Sequence, residues 1–316
     1  MTMKVGIHLG GLSGGHEVRG IGVHTSELLR ELKLITYNSK LIIEEYNSKE
    51  KYDLVHYTVF KPFSFSIPFR KPSNKVVLTI HDLIPLIYPE HYPAGIKGNL
   101  IFLIQKWLIR KNVDAIITIS ETAKKDICRF LSVDPAKVYV IYLAPKKVFA
   151  PITNHPASPA GRQSLITVQK KYGLPDSFAL YVGDINYNKN IPGLIEMCKH
   201  AGIPLVIVGK QAEEIRDRDR DLRHAELAHL RGLNWSNVTC LGFVPDYDLV
   251  AIYNLTDVYI QPSFYEGFAL PLLEAKACGT WVIATKIQAH VEILDTKRDY
   301  SWEKTAKETL ALYAKI

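Results

Sequence analysis

The chain has 316 residues, of which 47% are hydrophobic and 22% are charged. This composition excludes a disordered chain, a collagen-like chain and a small disulfide-stapled domain, and the length predicts about two globular domains. The longest apolar stretch, near Leu100–Ile104, is shorter than the ~20 residues that cross a bilayer, and the first eleven residues do not predict a signal peptide. Four scattered cysteines form no CxxC and no cluster with histidine, which favours a reducing compartment. We therefore expect a cytoplasmic protein.

The formal net charge of +7 is concentrated in the first half of the chain. Residues 1–145 carry 19 Lys and Arg against 13 Asp and Glu, a balance of +6, whereas residues 146–316 carry 20 against 19, a balance of +1. A basic half fits an anionic partner, such as nucleic acid, an acidic membrane surface or a phosphorylated substrate, and equally fits an ordinary solvated surface. No basic run with interleaved aromatic residues supports nucleic acid.

Short β-branched runs alternate with amphipathic stretches, a pattern typical of parallel sheets built from βαβ units. In the first half the strands are predicted at Lys4–Leu9, Leu41–Glu45, Leu54–Thr58, Val76–Ile80, Ala115–Ile119 and Val138–Tyr142. The helices between them are predicted at Ile21–Lys33, Gly98–Lys111 and Glu121–Leu131, the last with Ser120 as its N-cap.

After this half, residues 146–173 contain three prolines and no sustained periodicity, which indicates a linker. The alternation then restarts, with strands predicted at Phe178–Val182, Leu205–Val208, Val238–Leu241, Val258–Gln261 and Trp281–Ala284. Helices are predicted at Ile191–Ala201, Ala212–Arg231, Phe268–Ala277 and Ser301–Ile316. The fold class is therefore α/β, with doubly wound Rossmann-like domains at 1–150 and 174–300, a linker at 151–173, and a last helix at 301–316. The second domain is short by a βα unit, which suggests that a segment is missing near residues 295–300.

Glycines follow the first predicted strand. Gly10–Gly15 has the glycine spacing of a P-loop, but His16 and Glu17 stand where Lys and Ser or Thr are required, which disfavours a P-loop NTPase. Gly20-Ile21-Gly22 opens the next helix, where free amides attract phosphate. The alternative is a flexible turn without a ligand.

Polar residues also follow strands in both halves. His81 and Asp82 come directly after Val76–Ile80, at a strand end where α/β sheets place ligands. A neutral His81 could orient a hydroxyl or take part in acid–base work, while Asp82 could equally cap the next turn. Lys189 precedes the predicted helix at Ile191 and would add a cation to the helix N-terminus, as a diphosphate site requires; the alternative is a solvated lysine.

Two glutamates flank an apolar stretch near the C-terminus. Glu266 lies after strand Val258–Gln261, and Glu274 follows eight residues later, about 80° around a helix. Both carboxylates could thus face one cleft, with Gly267 allowing the backbone amides near Phe268 to approach a ligand. The alternative is that Glu266 complements the helix dipole and Glu274 is a surface charge.

The run from Glu266 to Glu274, followed by Ala-Lys-Ala-Cys-Gly-Thr, resembles the two-glutamate EX7E signature of glycosyltransferase family 4. The glycine-rich loop at 10–22, His81 with Asp82, Ser120-Glu121-Thr122, the segment 183–190 and Gly242-Phe243-Val244-Pro245-Asp246 follow in the family's order. The resemblance covers nearly the whole chain. It implies a retaining, metal-independent enzyme of the GT-B fold, with an N-terminal acceptor-binding domain, a nucleotide-sugar-binding domain across a cleft, and a C-terminal helix that crosses back.

The resemblance also implies roles for individual residues. Glu266 would contact the transferred face of the donor sugar, His81 would position a sugar hydroxyl, and Lys189 would neutralise the departing diphosphate. Glu274 would hold the ribose hydroxyls and Val244 would lie near the base. The residues implied in donor binding are Gly22, Gly183, Lys189, Val244, Gly267, Phe268, Ala269, Leu270 and Glu274. No cofactor is expected.

Some features depart from the family or lead away from it. Asp184 stands where the family often has an arginine, so Arg19 or Lys210 would have to supply a second cation. The acidic–basic run at 217–221 contains a DxD string, but a solvated helix face is favoured over a metal site. Ile96, Leu100, Leu103, Ile104 and Trp107, with nearby Lys and Arg, could form a membrane-surface helix, although ordinary core packing is favoured.

The sequence therefore predicts a retaining hexosyltransferase of polysaccharide or lipopolysaccharide biosynthesis. The donor would be GDP-mannose or a UDP-sugar, and the acceptor a saccharide or lipid-linked saccharide. Peripheral contact with an anionic membrane surface at the cytoplasmic face is a further expectation, and nucleic acid is not a partner. Two alternatives stay open at this point: a non-catalytic nucleotide-sugar-binding relative that acts as a partner subunit, and a nucleotide-sugar epimerase of the same fold.

Overall fold

The computed structural model describes residues 3–12, 20–37, 39–152, 159–213, 225–294 and 298–316. Their packing divides the chain into two units. The first comprises Met1–Ala144 with Glu292–Ile316, and the second comprises Pro145–Val291. Among the described residues, every helix is too short or too polar to span a membrane.

The first unit is built on a parallel sheet whose described strands lie in the order β2-β1-β3-β4-β5-β6. The strands are β1 (Met3–His8), β2 (Leu41–Glu45), β3 (Leu54–Tyr57), β4 (Lys75–Thr79), β5 (Ala115–Thr118) and β6 (Val138–Val140). The interior strands β3 and β5 are buried along their whole length. Continuous apolar runs such as these are expected where helices cover both faces of a parallel sheet.

Helices surround this sheet and confirm the predicted alternation. They are α1 (Gly20–Thr36), α2 (Ile84–Ile87), α3 (Gly95–Asn112) and α4 (Glu121–Leu131). The Oγ of Ser120 accepts a hydrogen bond from the backbone N–H of Ala123 at 3.0 Å, so the predicted N-cap of α4 is confirmed. Asp82 also caps a turn, because its Oδ1 accepts from the N–H of Ile84 at the start of α2.

The second unit has its own parallel sheet, in the order β11-β10-β7-β8-β9. Its strands are β7 (Ala179–Val182), β8 (Leu205–Val208), β9 (Val238–Cys240), β10 (Val258–Gln261) and β11 (Val282–Ala284). Its helices are α5 (Pro159–Tyr172), α6 (Ile191–Ala201), α7 (Asp246–Leu255) and α8 (Leu270–Ala277), while α9 (Gln288–Leu294) crosses the boundary between the units.

The last helix, α10 (Trp302–Lys315), belongs to the first unit. Ala306, Leu312 and Tyr313 are buried in the same core cluster as Leu28 and Leu32 of α1. Apolar side chains on one face of this helix complete a core whose other members lie near the start of the chain. The predicted return of the C-terminal helix to the N-terminal domain is therefore confirmed.

The predicted linker is wrong in part, because α5 occupies residues 159–172. Pro159 is the first residue of this helix, a position where proline costs no backbone hydrogen bond, so its presence did not exclude a helix. The hydroxyl of Tyr172 and the ammonium of Lys171 both donate to Oδ2 of Asp248, at 2.7 Å and 2.6 Å, and tie α5 to α7.

Other differences concern the second unit. Helix α7 was not predicted, although Pro245 followed by Asp246 and Asp248 is a typical helix start. The structure shows a 3-10 helix at Ala225–Leu230 instead of the end of the predicted helix Ala212–Arg231; apolar spacing alone does not separate these two helix types. The middle of that prediction, with the DxD string at 217–221, lies outside the described residues. Residues 295–297, at the suggested gap, also lie outside them.

Candidate functional site

Most of the predicted site residues lie at one edge of the second sheet. Strands β7 and β10 are neighbours, and the loop after β7 contains Lys189 while the loop after β10 contains Glu266. Carboxyl ends of parallel strands meet at the same edge, where open α/β sheets bind ligands. The topology therefore brings together two residues that are 77 positions apart in the chain.

Lys189 and Glu266 form a bidentate ion pair. The Nζ of Lys189 donates to Oε1 of Glu266 at 2.8 Å and to Oε2 at 2.7 Å. The carboxylate is buried and the lysine is largely buried. An ionised carboxylate removed from water needs such compensation, and the ammonium supplies it.

Two further side chains donate to the Glu266 carboxylate, and a third contacts one of these two. Oε1 of Glu266 also accepts from the hydroxyl of Ser263 at 2.7 Å and from Nε2 of Gln261 at 2.8 Å. The hydroxyl of Tyr259 donates in turn to Oε1 of Gln261. Sequence reasoning missed Gln261, the last residue of β10, and Ser263, which lies between β10 and Glu266. Their signal was a pair of polar residues, separated by Pro262, at a strand end, where open α/β sheets place ligands.

The loop that carries Lys189 is fixed by close backbone packing. Gly183 has a φ of 144°, a conformation that residues with a side chain rarely adopt. A Cβ on Gly209, after the neighbouring strand β8, would lie only 2.1 Å from the carbonyl oxygen of Gly183. The side chain of Gln211 accepts from the N–H of Ile185 at 2.9 Å. The two loops after β7 and β8 are thus locked together.

Asn188 connects this loop to the one that contains Glu266. The buried Asn188 donates from Nδ2 to the carbonyl of Tyr265 at 3.0 Å, and its own carbonyl accepts from the N–H of Phe264 at 2.8 Å. Lys189 and Glu266, the residues that follow Asn188 and Tyr265, are therefore held in register by backbone bonds as well as by their charges. Sequence reasoning also missed Asn188.

The stretch between the two glutamates ends in an uncapped helix. Ala269 is the N-cap of α8 and has φ 74° and ψ 58°, and among the described residues no side chain caps this helix start. Ser120, Asn190 and Ser301 each accept a bond at the start of their helices, whereas α3 and α7 lack a side-chain cap as α8 does. Pro271 in this first turn has no N–H, and the N–H of Leu272 donates to the carbonyl of Ala269 at 3.0 Å, so it is the dipole of the helix start that favours an anion here. Ala269 is the residue in this stretch with a left-handed backbone conformation. The sequence had suggested that Gly267 would supply the backbone freedom here.

The predicted angular relation of Glu266 to Glu274 does not hold, because α8 begins only at Leu270 and Glu266 lies outside it. Glu274 is buried, and its Oε2 accepts from the hydroxyl of Tyr253 at 3.2 Å. Burial raises the pKa of Glu274 to about 7, against the smaller opposing effect of the Tyr253 hydrogen bond. Glu274 is thus a buried carboxyl group that titrates near neutral pH and not a surface charge.

Both glutamates affect the pKa of the same tyrosine. Tyr259 of β10 has a pKa well above its usual value, first because it is buried and then because the carboxylates of Glu266 and Glu274 disfavour a second negative charge nearby. Its ring lies 5.8 Å from that of Tyr253, the hydrogen-bond partner of Glu274. The tertiary structure therefore places both glutamates within electrostatic reach of one residue.

The remaining predicted residues of this unit lie at the same edge of the sheet. Val244 is buried between β9 and α7, in a loop joined to β8 by a bond from the N–H of Gly209 to the carbonyl of Gly242. Phe268, Ala269 and Leu270 are buried at the start of α8. Lys210 is exposed directly after β8, whereas Asp184 accepts a bond from the Tyr181 hydroxyl at its backbone carbonyl.

Gly22 and His81 belong to the first unit. Gly22 is buried in the first turn of α1, and the preceding residues 13–19, which include Arg19 and most of the glycine-rich loop, lie outside the described residues. His81 is buried two residues after the end of β4, and its Nε2 lies 2.7 Å from Nδ1 of His24. The ring of His24 stacks on Trp302 at 6.0 Å. His24 is a further residue that sequence reasoning missed.

Burial sets the protonation of this histidine pair. It lowers the pKa of His81 to about 4 and the pKa of His24 well below its usual value, where the neighbouring His81 lowers it further. Both imidazoles are neutral at pH 7, so one of the two facing nitrogens donates and the other accepts. A neutral His81 suits hydrogen bonding to a hydroxyl better than acid–base work at neutral pH.

Models of two families each match one part of this chain, and together they match most of its length. Residues 14–144 match the family described as Glycosyltransferase Family 4, and residues 167–312 match the family described as Glycosyl transferases group 1. The serotype-specific mannosyltransferase WbdA of Escherichia coli is 32% identical over 239 residues, 73% of this chain and 28% of WbdA. The O-antigen chain mannosyltransferase B of Escherichia coli is 29% identical over 241 residues, 73% of this chain and 58% of that relative. The matched part of the chain thus spans less than two thirds of these relatives.

Solved structures show the same fold. HepE from Anabaena, in complex with UDP and glucose, has a TM-score of 0.61 at 14% identity, covering 98% of this chain and 90% of HepE. WaaG, a glycosyltransferase involved in lipopolysaccharide biosynthesis, has a TM-score of 0.62 at 12% identity, covering 96% of this chain and 88% of WaaG.

Proposed function

Because the chain belongs to glycosyltransferase family 4 and has the GT-B fold, we propose that it transfers a sugar from a nucleoside diphosphate sugar, with retention of configuration, to a saccharide or lipid-linked saccharide. The observation that supports this most directly is the Lys189–Glu266 pair in the unit that contains the uncapped start of α8. A cation, a carboxylate and a helix N-terminus meet the needs of a diphosphate joined to a polyhydroxylated sugar.

The donor is proposed to be GDP-mannose or a UDP-sugar. WbdA and the O-antigen chain mannosyltransferase B are named as mannosyltransferases, and HepE was solved with UDP, which supports both possibilities. Polysaccharide or lipopolysaccharide biosynthesis is the matching biological role. These names favour transfer over the non-catalytic and epimerase alternatives.

In the proposed reaction, the acceptor hydroxyl attacks the anomeric carbon on the face from which the diphosphate departs. The new glycosidic C–O bond forms as the bond from the anomeric carbon to the phosphate oxygen breaks, and the hydroxyl proton passes to the departing phosphate. Negative charge grows on the diphosphate in this step, where the ammonium of Lys189 and the amides at the start of α8 stabilise it.

Glu266 is proposed to accept hydrogen bonds from the transferred sugar, and its bonds from Ser263 and Gln261 fix its orientation. Glu274 is proposed to accept from the ribose hydroxyls. We further propose Gly183, Gly267, Phe268, Ala269 and Leu270 as backbone contacts of the donor, Val244 as a neighbour of the base, His81 as the partner of a sugar hydroxyl, and Gly22 as the position that leaves room for phosphate.

The reaction is proposed to need no metal ion, because Lys189 and the α8 amides supply the positive charge. Lys210 is the proposed second cation, since it follows β8 at the edge where Gly183 follows β7. Turnover that persists in the presence of a chelator, and a loss of turnover in Lys210→Ala, are the expected results.

The acceptor is proposed to bind the basic first unit, and the proposed location is the cytoplasm with peripheral contact to an anionic membrane surface. The formal charge of +6 on residues 1–145 supports an anionic acceptor or surface.

Thermal stabilisation by GDP, UDP, ADP and TDP, followed by assays with the corresponding sugar donors, tests the proposal. We expect one nucleotide to stabilise the protein, the matching donor to support transfer, and Glu274→Ala to lose both effects. The exposed Glu196→Ala variant is the control. A protein that binds no nucleoside diphosphate, or whose transfer survives in Glu274→Ala, would contradict the proposal.

A further inference from the structure

We propose that helix α3 docks the first unit onto an anionic lipid bilayer. The proposed docking face consists of Ile96, Leu100, Leu103 and Trp107, which we call the α3 face. The docking rests on the proposed function, because an acceptor carried by a lipid would lie at the membrane. The α3 face supplies the residues that make the contact with that membrane. The sequence had favoured core packing for these residues, and the structure contradicts that for all four.

The α3 face is a narrow apolar arc that points away from the protein. Its residues stand at positions i, i+4, i+7 and i+11, which at 100° per residue fall within about 60° of arc. The exposed fractions are 92% for Ile96, 58% for Leu100, 62% for Leu103 and 49% for Trp107. Clustered exposure of large apolar side chains marks an interaction surface, whereas scattered ones need no explanation.

The orientation of α3 is fixed by its opposite face. Leu108 and Ile109 are buried in the core of the first unit, and the buried Gln105 donates from Nε2 to the carbonyl of Lys61 at 2.9 Å. Asn112 is also buried and donates to the carbonyls of Pro68 and Phe69. The helix therefore cannot turn the α3 face inward without breaking these contacts.

Basic residues flank the α3 face on both sides. At 100° per residue, Lys97 and Lys111 lie on one side of the arc, and Lys106 and Arg110 lie on the other. The sequence of α3 contains no Asp or Glu. Apolar residues between two rows of cations are typical of a helix that lies in the plane of an anionic membrane surface.

A second pair of exposed apolar side chains is held beside this helix. The rings of Phe65 and Phe69 lie 5.3 Å apart, and both are exposed. The segment that contains them is tied to α3, because Oε1 of Gln105 accepts from the N–H of Ser66 at 2.7 Å. Gln105 lies on the side of α3 opposite the α3 face, so these phenylalanines form a separate exposed pair and the proposal does not depend on them.

The charges favour a bilayer over a second copy of the chain. A symmetric contact through the α3 face would set the four cations of one copy against the same four cations of the other. An acidic protein could neutralise them, and it is one outcome of the test below. An anionic bilayer satisfies both the cations and the apolar arc, because its charged headgroups lie directly above its acyl chains.

Vesicle sedimentation tests the proposal with the full chain. We expect the protein to sediment with vesicles of phosphatidylcholine containing about a third phosphatidylglycerol and not with phosphatidylcholine alone. The double variant L100E/L103E should lower the partition coefficient by about tenfold or more. The matched control is L34E/I42E, which adds the same charge at exposed apolar positions elsewhere in the first unit. A thermal melt checks that each variant is folded.

Two further readouts do not depend on those variants. In K106Q/R110Q the dependence of vesicle sedimentation on phosphatidylglycerol should fall. The tryptophan fluorescence of the wild type should shift to the blue on vesicle binding, whereas the fluorescence of Trp107→Phe should not shift. The proposal is overturned if the wild type does not sediment, if L34E/I42E loses as much binding as L100E/L103E, or if only an acidic protein binds. Nucleotide binding by the same variants is measured separately, so that loss of the proposed function is distinguished from loss of docking.

Discussion

The ammonium of Lys189 lies within 2.8 Å of both carboxylate oxygens of Glu266. In the free protein these charges compensate each other, so a diphosphate that binds Lys189 must compete with Glu266. The ion pair thus keeps a buried cation in place before a donor arrives. In the proposed reaction, Ser263 and Gln261 would continue to stabilise the carboxylate once the ammonium turned to a phosphate.

The first prediction separates the two members of this pair. Lys189→Ala should weaken nucleoside diphosphate binding about tenfold and slow transfer by about 10²–10³-fold, because it removes the charge opposite the leaving group. Glu266→Gln should slow transfer to a similar degree but retain nucleotide affinity, since Lys189 is freed from its partner. Calorimetric titration and a transfer assay measure the two effects, with the exposed Lys199→Ala as control. Equal loss of nucleotide affinity in both variants would refute this division of roles.

The second prediction concerns the orientation of Glu266. Ser263→Ala removes a hydrogen bond to a buried carboxylate, worth about 1.5 kcal/mol, and should lower kcat about tenfold. The KM for the donor should change little, because Lys189 and the α8 amides are untouched. Steady-state kinetics check this split, and Ser236→Ala, at an exposed serine of the same unit, should have no effect. An increase in KM with unchanged kcat would argue against orientation.

The third prediction is a pH dependence of stability caused by Glu274. Its pKa rises from 4.5 to about 7 on folding, so the folded chain binds this proton more tightly than the unfolded chain. The resulting stabilisation is fully present below about pH 4.5 and is lost as the pH rises to about 7, a change of roughly 3 kcal/mol. Urea unfolding across this range should show a steeper fall in the wild type than in Glu274→Gln. Parallel curves for the two proteins would contradict the prediction.

The fourth prediction concerns His81, which is neutral at pH 7 because burial lowers its pKa to about 4. His81→Ala should reduce transfer, and the ratio of wild-type to variant rates should stay constant between about pH 6 and pH 8. The exposed His200→Ala serves as control. A ratio that changes across this range would mean that His81 gains or loses a proton during turnover.

The fifth prediction tests the attachment of the C-terminal helix. The hydroxyl of Tyr313 lies 2.6 Å from Nδ1 of the fully buried His56, whose Nε2 lies 2.7 Å from Oγ1 of Thr79. Tyr313→Phe leaves this imidazole nitrogen without its partner and should destabilise the protein by about 1–3 kcal/mol. Chemical denaturation measures the loss, and the exposed Tyr37→Phe should show none. Nucleotide binding should be unchanged in both variants.

The sequence predicted the strands and most helices because apolar periodicity, caps and strand-end glycines are local signals. The capping of α4 by Ser120 and the bounds of α6 at Ile191–Ala201 follow from such signals. The helix at Pro159–Tyr172 was missed because proline at a helix start and proline in a linker look alike in a sequence. The preference for core packing was also wrong for Ile96, Leu100, Leu103 and Trp107 of α3, since periodicity gives an apolar face without saying what covers it.

By itself the sequence determined the α/β class, the order of the elements and the residue types at the strand ends. Only the tertiary structure decided which of those residues meet. Lys189 pairs with Glu266 because β7 and β10 are neighbours in the sheet. Local periodicity does not determine the order of the strands. The pairing of His24 with His81, and the pKa of Glu274, depend on burial by distant segments, which pattern and spacing do not contain.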